Sequence, residues 1–379
     1  MERGIPRPLR RGFVANCLAA TIAGTWSGSL SASDTDLAKN SSGSSVSLRL
    51  LKSIPFRAER PAGGDITSLA WNPGGTLLAA AFDWGRKVAV LETGSWSVAG
   101  TFSRTAMRDK SSMGFRSDDQ LVTLPNDERL DSVWALGVYD VRKGKVVDQV
   151  RRPPGMKDLA QSIIVTGDRR FAALNTYVDR QLIALYFDLK KMEFVDAVPT
   201  LPDASALLMA AGPGAQIALS AIERGSGPSR LKPIALVDLG AKKIERILPG
   251  QAPGIASMAW SPNGQWLASG ASSEQPHDPH PIRIWDAVNG REKIAIPGAY
   301  SPVSSVAWHP TSPIFVTKGA KGTGALGSAV RLWSAVDGRL MFEYLAPGQT
   351  IVSEVSFHPL TGQLLWAADN ALHLFDILH

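Results

Sequence analysis

The densest set of metal-ligand side chains in the chain is His277-Asp278-Pro279-His280, with Glu274 close by. Two imidazoles and a carboxylate would suit a divalent ion, and a catalytic zinc needs three such ligands plus a water. The surrounding prolines favour an extended loop whose side chains diverge, and no other long polar segment carries a histidine. The pattern reads as a solvated loop, so no metal and no cofactor is expected. Gly322-Thr323-Gly324-Ala325-Leu326-Gly327 spells GxGxxG. Phosphate binding there would need a helix to follow, but the strand-like AVRLW follows, which excludes that use. Cys17 is the only cysteine, so there is no disulfide framework, CxxC zinc site or haem attachment. The carboxylates Asp65, Glu274, Asp278 and Glu354 are scattered, and no Ser-His-Asp spacing argues for nucleophilic catalysis. His309 and His358 stand in WHP and FHP, where turn packing is the expected role.

Charge narrows the partners. The formal charge is +6 with a pI near 9.4. Residues 1–32 hold Arg3, Arg7, Arg10 and Arg11 against Glu2, a net of +3, and the other 36 basic and 33 acidic residues also give +3. That is too mild to indicate nucleic acid. A basic series, Arg142, Lys143, Lys145, Lys190, Lys191, Lys242, Lys243, Arg291 and Lys293, is joined by Arg116, Arg169 and Arg170. It would steer an acidic partner, but Asp140, Asp188, Asp238 and Asp286 lie beside it, and solvated turn charges are the default reading.

The elements that position these residues come from repetition. Seven short apolar runs end at Trp71, Phe115, Val165, Ala211, Trp260, Trp308 and Phe357, spaced 44 to 50 residues apart. A second anchor keeps step with them: Leu91-Glu92, Tyr139-Asp140, Phe187-Asp188, Val237-Asp238, Trp285-Asp286, Trp333-Ser334 and Phe375-Asp376, spaced 42 to 50 apart. Such a period signals a repeat architecture. Each unit breaks into β-rich runs separated by Gly, Pro, Asn and Asp. In the fifth unit these are ASMAW, WLASG, IRIWD and EKIAI. Four strands per unit match a propeller blade. The seventh unit has no room for a fourth strand, and VSLRLLKSIPF at residues 46–56 has the character to supply it. Pairing of the two would close the ring and leave no open sheet edge.

These units resemble WD40 repeats, most clearly IASMAWSPNGQWLASG…IRIWD and VSSVAWHPTSPIFVT…VRLWS. The resemblance covers residues 46–379 and implies an all-β, seven-bladed β-propeller. The Trp-Asp pair occurs once, at Trp285-Asp286, and the Gly-His pair that usually opens a repeat is absent. The family's His–Ser/Asp–Trp hydrogen-bond chain is therefore not carried over.

In such a ring, the connections between second and third strands share one face with the blade-to-blade connections. Four long ones fall there: residues 124–133, 221–233, 272–281 and 318–329. Long loops on a rigid scaffold are where binding concentrates. The candidate partner-binding residues are Asp127, Glu128 and Arg129; Glu223, Arg224, Arg230 and Lys232; Glu274, His277, Asp278 and His280; and Lys321.

Residues 1–32 have the layout of an export signal: an Arg-rich start, a mildly apolar stretch and small residues after it. Arg10-Arg11-Gly12-Phe13-Val14 resembles the core of the bacterial twin-arginine signal, with Arg10, Arg11 and Phe13 as its marks. Residues 33–45 belong to a Ser-rich stretch that reads as a linker. No other run is long and apolar enough to span a membrane. The expectation is a monomeric, non-catalytic scaffold for a protein or peptide partner, acting after export to the periplasm, without nucleic acid. A cytoplasmic location is the alternative if residues 1–32 are not an address. The alternative function is an enzyme or small-ligand binder using the central channel, of the hydrolase, lactonase or quinone-dehydrogenase type. Other propellers host those chemistries, and fold alone does not decide between them.

Overall fold

A computed structural model describes residues 46–55, 66–82, 85–103, 113–124, 133–156, 162–178, 181–198, 207–221, 232–251, 254–272, 281–297, 302–322, 327–347, 352–368 and 371–378. The described strands form seven antiparallel sheets of four strands each. In six sheets the strands follow chain order from the ring's axis outward. The seven inner strands end at Trp71, Phe115, Val165, Ala211, Trp260, Trp308 and Phe357, the residues of the first sequence anchor. Each inner strand touches the next, and that of blade 7 touches that of blade 1, so the ring is complete.

Blade 7 departs from chain order. Its inner, second and third strands are Val352–Phe357, Leu364–Ala368 and Ala371–Leu378. Its outer strand is Ser47–Pro55, which pairs antiparallel with Ala371–Leu378 from Ser47↔Leu378 to Pro55↔Ala371, as the sequence led one to expect.

The core consists of seven clusters, one in each junction between neighbouring blades. A second strand serves two of them at once. In blade 1, Leu78 and Ala80 face blade 7, whereas Leu77, Ala79 and Ala81 face blade 2. Successive strand side chains point to opposite faces, and here both faces are covered, so this strand is apolar at every position. Burying one large aliphatic side chain in such a junction stabilises by about 1.5–3 kcal/mol.

Connections fall on two ends of the ring. One end carries the inner turns, between inner and second strands, and the outer turns, between third and outer strands. The outer turns repeat one design. The aspartate after the second anchor accepts backbone amides: Asp140 from Lys143, Asp188 from Lys190 and Lys191, Asp238 from Ala241, and Asp286 from Val288 and Asn289, all at 2.8–3.0 Å. Five residues after the anchor the backbone turns left-handed, at Trp96, Gly144, Met192, Lys242, Gly290 and Gly338. Only glycine adopts that conformation without strain.

Blade 7 has no outer turn, and its aspartate has another task. Asp376 accepts from Arg49 of the closing strand at 2.6 Å and from Gln363 at 3.1 Å. The Arg49 hydrogen bond leads in holding the Asp376 carboxyl below its ordinary value of 3.8. Its contribution is therefore complete above about pH 4 and is lost as the pH falls further.

Two outcomes follow from closure. A chain lacking residues 46–56 should lose its single cooperative thermal transition, and a synthetic peptide of that stretch added in trans should restore it. Asp376→Asn should cost about 0.5 kcal/mol in chemical denaturation at neutral pH, because Arg49 is largely exposed. It should also flatten the acid limb of the stability curve.

Candidate functional site

The opposite end carries the blade-to-blade connections and the long segments between second and third strands. Strand ends delimit these segments. In blade 2 the second strand ends at Thr123 and the third begins at Trp134; in blade 5 they meet the segment at Ala271 and Ile282, as expected. In blades 4 and 6 the segments shorten to residues 222–231 and 321–327. Strand pairing runs further there, through Lys232↔Gln251 and Lys318↔Val330.

Most of the expected partner-binding residues lie outside the described residues: Asp127, Glu128, Arg129, Glu223, Arg224, Arg230, Glu274, His277, Asp278 and His280. So do Asp65 and the signal residues Arg10, Arg11 and Phe13. Lys232 opens the third strand of blade 4. Lys321 is engaged within the ring, since its Nζ donates to the Ala346 carbonyl at 3.0 Å.

The bases of the long segments are held from below. In blade 6, Arg331 is almost wholly buried; its Nε donates to Glu343 at 2.6 Å and its Nη1 to the Ala320 carbonyl at 3.2 Å. In blade 2, Arg152 Nε donates to the Trp134 carbonyl at 3.2 Å. In blade 5, the base is held by a chain of buried hydrogen bonds. Trp285 Nε1 donates to Ser269 Oγ at 2.9 Å, Ser269 Oγ donates to Gln251 Oε1 at 2.8 Å, and Gln251 Nε2 donates to the Pro281 carbonyl at 3.0 Å. Pro281 directly follows His280, so the core tryptophan is tied to the foot of the segment bearing His277 and His280. Buried polar groups left unpaired are costly, and Gln251 satisfies both neighbours at once because an amide accepts and donates.

The family profile described as WD domain, G-beta repeat matches residues 57–90 and 242–275. The first match reaches from before the inner strand of blade 1 into its third strand, and the second runs from the outer strand of blade 4 through the second strand of blade 5. The chain is a seven-bladed β-propeller that is similar to WD40 repeats at these two places. No curated protein matches it. The Gln251–Ser269–Trp285 chain resembles the His–Ser/Asp–Trp chain of WD40 repeats, with an amide in place of the imidazole. Its one mark in the sequence is a polar residue four positions before the inner strand of blade 5, among small residues.

The basic series lies on the turn end, and carboxylates answer much of it. Arg142 meets Asp119 at 2.8 Å, Lys143 meets Asp140 at 3.1 Å, Lys191 meets Glu193 at 3.3 Å and Lys242 meets Asp196 at 3.6 Å. Arg116 pairs with Asp148 and donates to the Leu189 carbonyl, while Arg169 donates to the Phe115 carbonyl, so both tie blade 3 to blade 2. Lys293 sits 3.4 Å from the centre of the Trp266 ring. A cavity of about 330 Å³ between blades 3 and 4 shows the same balance, with Arg170, Lys191 and Lys242 set against Asp188 and Glu193. Many charges on this end are thus paired within or between neighbouring turns.

Among the channel candidates, Glu354 accepts from Ser305 Oγ of blade 6 at 2.6 Å, bridging two blades. Among the described residues no three His, Cys, Asp or Glu side chains converge as metal ligands.

Ser269→Ala should leave the Trp285 N–H and the Gln251 carbonyl unpaired and cost about 2 kcal/mol in chemical denaturation. Hydrogen exchange should show the loss at residues 282–286. A change below about 0.5 kcal/mol would mean that the chain does not hold the segment's base.

Proposed function

We propose that this protein is a non-catalytic scaffold that holds a protein or peptide partner on the end of the ring carrying the long segments. The observation that carries this reading is the asymmetry of the two ends. Short, hydrogen-bonded turns whose charges answer one another make up one end. Connections of about seven to ten residues rise from the other, on bases fixed by Arg152, Gln251 and Arg331. A rigid platform under variable segments is how scaffolds present binding residues without a large ordering penalty. WD40-type propellers are typically interaction scaffolds, which agrees with this reading. The partner would meet Asp127, Glu128 and Arg129, Glu223, Arg224 and Arg230, and Glu274, His277, Asp278 and His280. The channel reading gains nothing from Glu354, which is held by Ser305.

The scaffold would act after export, with Arg10, Arg11 and Phe13 as the address. A reporter fused to residues 1–45 should reach the periplasm of a bacterial host, and Arg10→Lys/Arg11→Lys should hold it in the cytoplasm. Equal distribution of both fusions would refute the address.

Replacing the four segments by short Gly-Ser turns should leave the melting transition within a few degrees and abolish capture of the partner after brief cross-linking. Capture of the same protein at undiminished yield by the replaced chain would overturn the long-segment reading.

A further inference from the structure

The residue that follows each inner strand closes the inner turn in most blades, and what it closes it with differs. Asn72 Oδ1 accepts from the Leu77 amide at 2.9 Å, Thr166 Oγ1 from Phe171 at 3.0 Å, and Ser261 Oγ from Trp266 at 2.9 Å. Blades 6 and 7 put an imidazole there. His309 Nδ1 accepts from the Thr311 amide at 3.2 Å and from Ser312 at 2.9 Å. His358 Nδ1 accepts from Leu360 and Thr361, both at 3.2 Å. A ring nitrogen that accepts carries no proton. His358 Nε2 lies 2.9 Å from the Gly75 carbonyl and donates to it. The neutral ring with its proton on Nε2 satisfies every partner, whereas an imidazolium would turn a second N–H against two amide N–H groups.

Both rings also wedge into the following blade. A Cβ on Gly362 would lie 2.2 Å from His309 Nε2, and one on Gly75 would lie 2.4 Å from the His358 ring. Trp71 packs on His358 with ring centres 4.8 Å apart, and Phe357 packs on His309 at 5.2 Å. A third histidine, His373, stands in the third strand of blade 7 with Nδ1 2.9 Å from Ser53 Oγ of the closing strand. These are the histidines of the described residues, and all three lie in blades 6 and 7.

We propose that blades 6 and 7 form an acid-sensitive latch: protonation of His309 and His358 opens their inner turns and loosens the seams to blades 7 and 1 before the rest of the ring responds. Two carboxylates near these seams are already engaged. Asp118 of blade 2 accepts from Gly74 and Asn72, and Asp376 holds Arg49. Lys52 lies beside Ser53 on the closing strand. Burial is the leading influence on His358 and pushes it below its ordinary 6.5, while the Gly75 carbonyl acts the other way and less strongly. A folded-state value below the unfolded one means that the neutral ring's contribution is complete above about pH 6.5 and is lost as the pH falls below it. The latch stands independently of the scaffold reading.

The test is amide hydrogen exchange of the full chain at about pH 7.5 and about pH 5, corrected for intrinsic rates. Protection should fall about tenfold or more in Val303–Trp308, Ile314–Ala320, Val352–Phe357, Leu364–Ala368, Ala371–Leu378 and Ser47–Pro55, and hold in Ser162–Val165, Phe171–Val178, Gln216–Ala221 and Lys243–Gln251. His309→Ser/His358→Asn installs the acceptors that blades 5 and 1 use, and should remove that pH-dependent loss. An equal loss in all blades, or a loss in blades 6 and 7 that survives in the double variant, would overturn the latch. Proton NMR titration of the unmodified chain checks it without a variant: the His358 ring should titrate below 6.5, and an ordinary midpoint would overturn its part in the latch.

Discussion

One antiparallel pairing decides whether this chain is a ring or an open stack of sheets. Ser47–Pro55 joins Ala371–Leu378, two segments at opposite ends of the described chain. The pairing covers the outer edge of blade 7 and places Val46 and Leu48 in the cluster between blades 6 and 7, and Ile54 in the cluster between blades 7 and 1. Two of the seven junctions therefore depend on one strand. The remaining junctions are local, between blades adjacent in sequence, and each resembles the next. In a repeat array stability is close to a sum of neighbouring interfaces. Closing the array adds one more interface and makes all seven interdependent.

The seams on the turn end show how the junctions are kept in register. His309 fits against Gly362, His358 against Gly75, and Pro213 against Gly264. Elsewhere the contact is polar: Gly74 donates to Asp118, Arg169 to the Phe115 carbonyl, and Gly167 to the Gly212 carbonyl. Trp308 donates to the Ala259 carbonyl, completing the circuit between blades 5 and 6. Every seam thus has a specific key in addition to its apolar cluster. Apolar packing alone tolerates sliding, whereas directional contacts fix register. The end of the ring that carries the keys is also the end where many charges pair within the turns.

Much of this was legible in the sequence. Both seven-fold anchors proved to be structural: the first marks the end of each inner strand, and the second lies at or near the end of each third strand, with the aspartate that caps the outer turn in blades 2 to 5. Closure by residues 46–56 was legible because an incomplete last unit and an unassigned strand-like stretch can be matched. The Gln251 chain was not legible, because a single amide replaces a signature residue and only three-dimensional neighbours reveal its two bonds. The different task of Asp376 was hidden for the same reason, since the residue has the same type and position as its capping counterparts. The basic series read as solvated turn charges, and its pairing with Asp119, Glu193 and Asp196 was not legible because those carboxylates reach it only through the fold.

Closure also imposes an order in time. The first strand of the ring, Ser47–Pro55, has one sheet neighbour, and that neighbour is the last strand, so Arg49 and Asp376 meet across a separation of 327 residues. During synthesis the first strand leaves the ribosome long before its partner exists. An unpaired strand is a template for wrong pairing. Arg49 and Lys52, the irregularity between Leu50 and Lys52, and Pro55 at its far end make this strand a poor template. The same residues that look like blemishes in the finished sheet let the strand wait, unclaimed, until the chain that will receive it has been made.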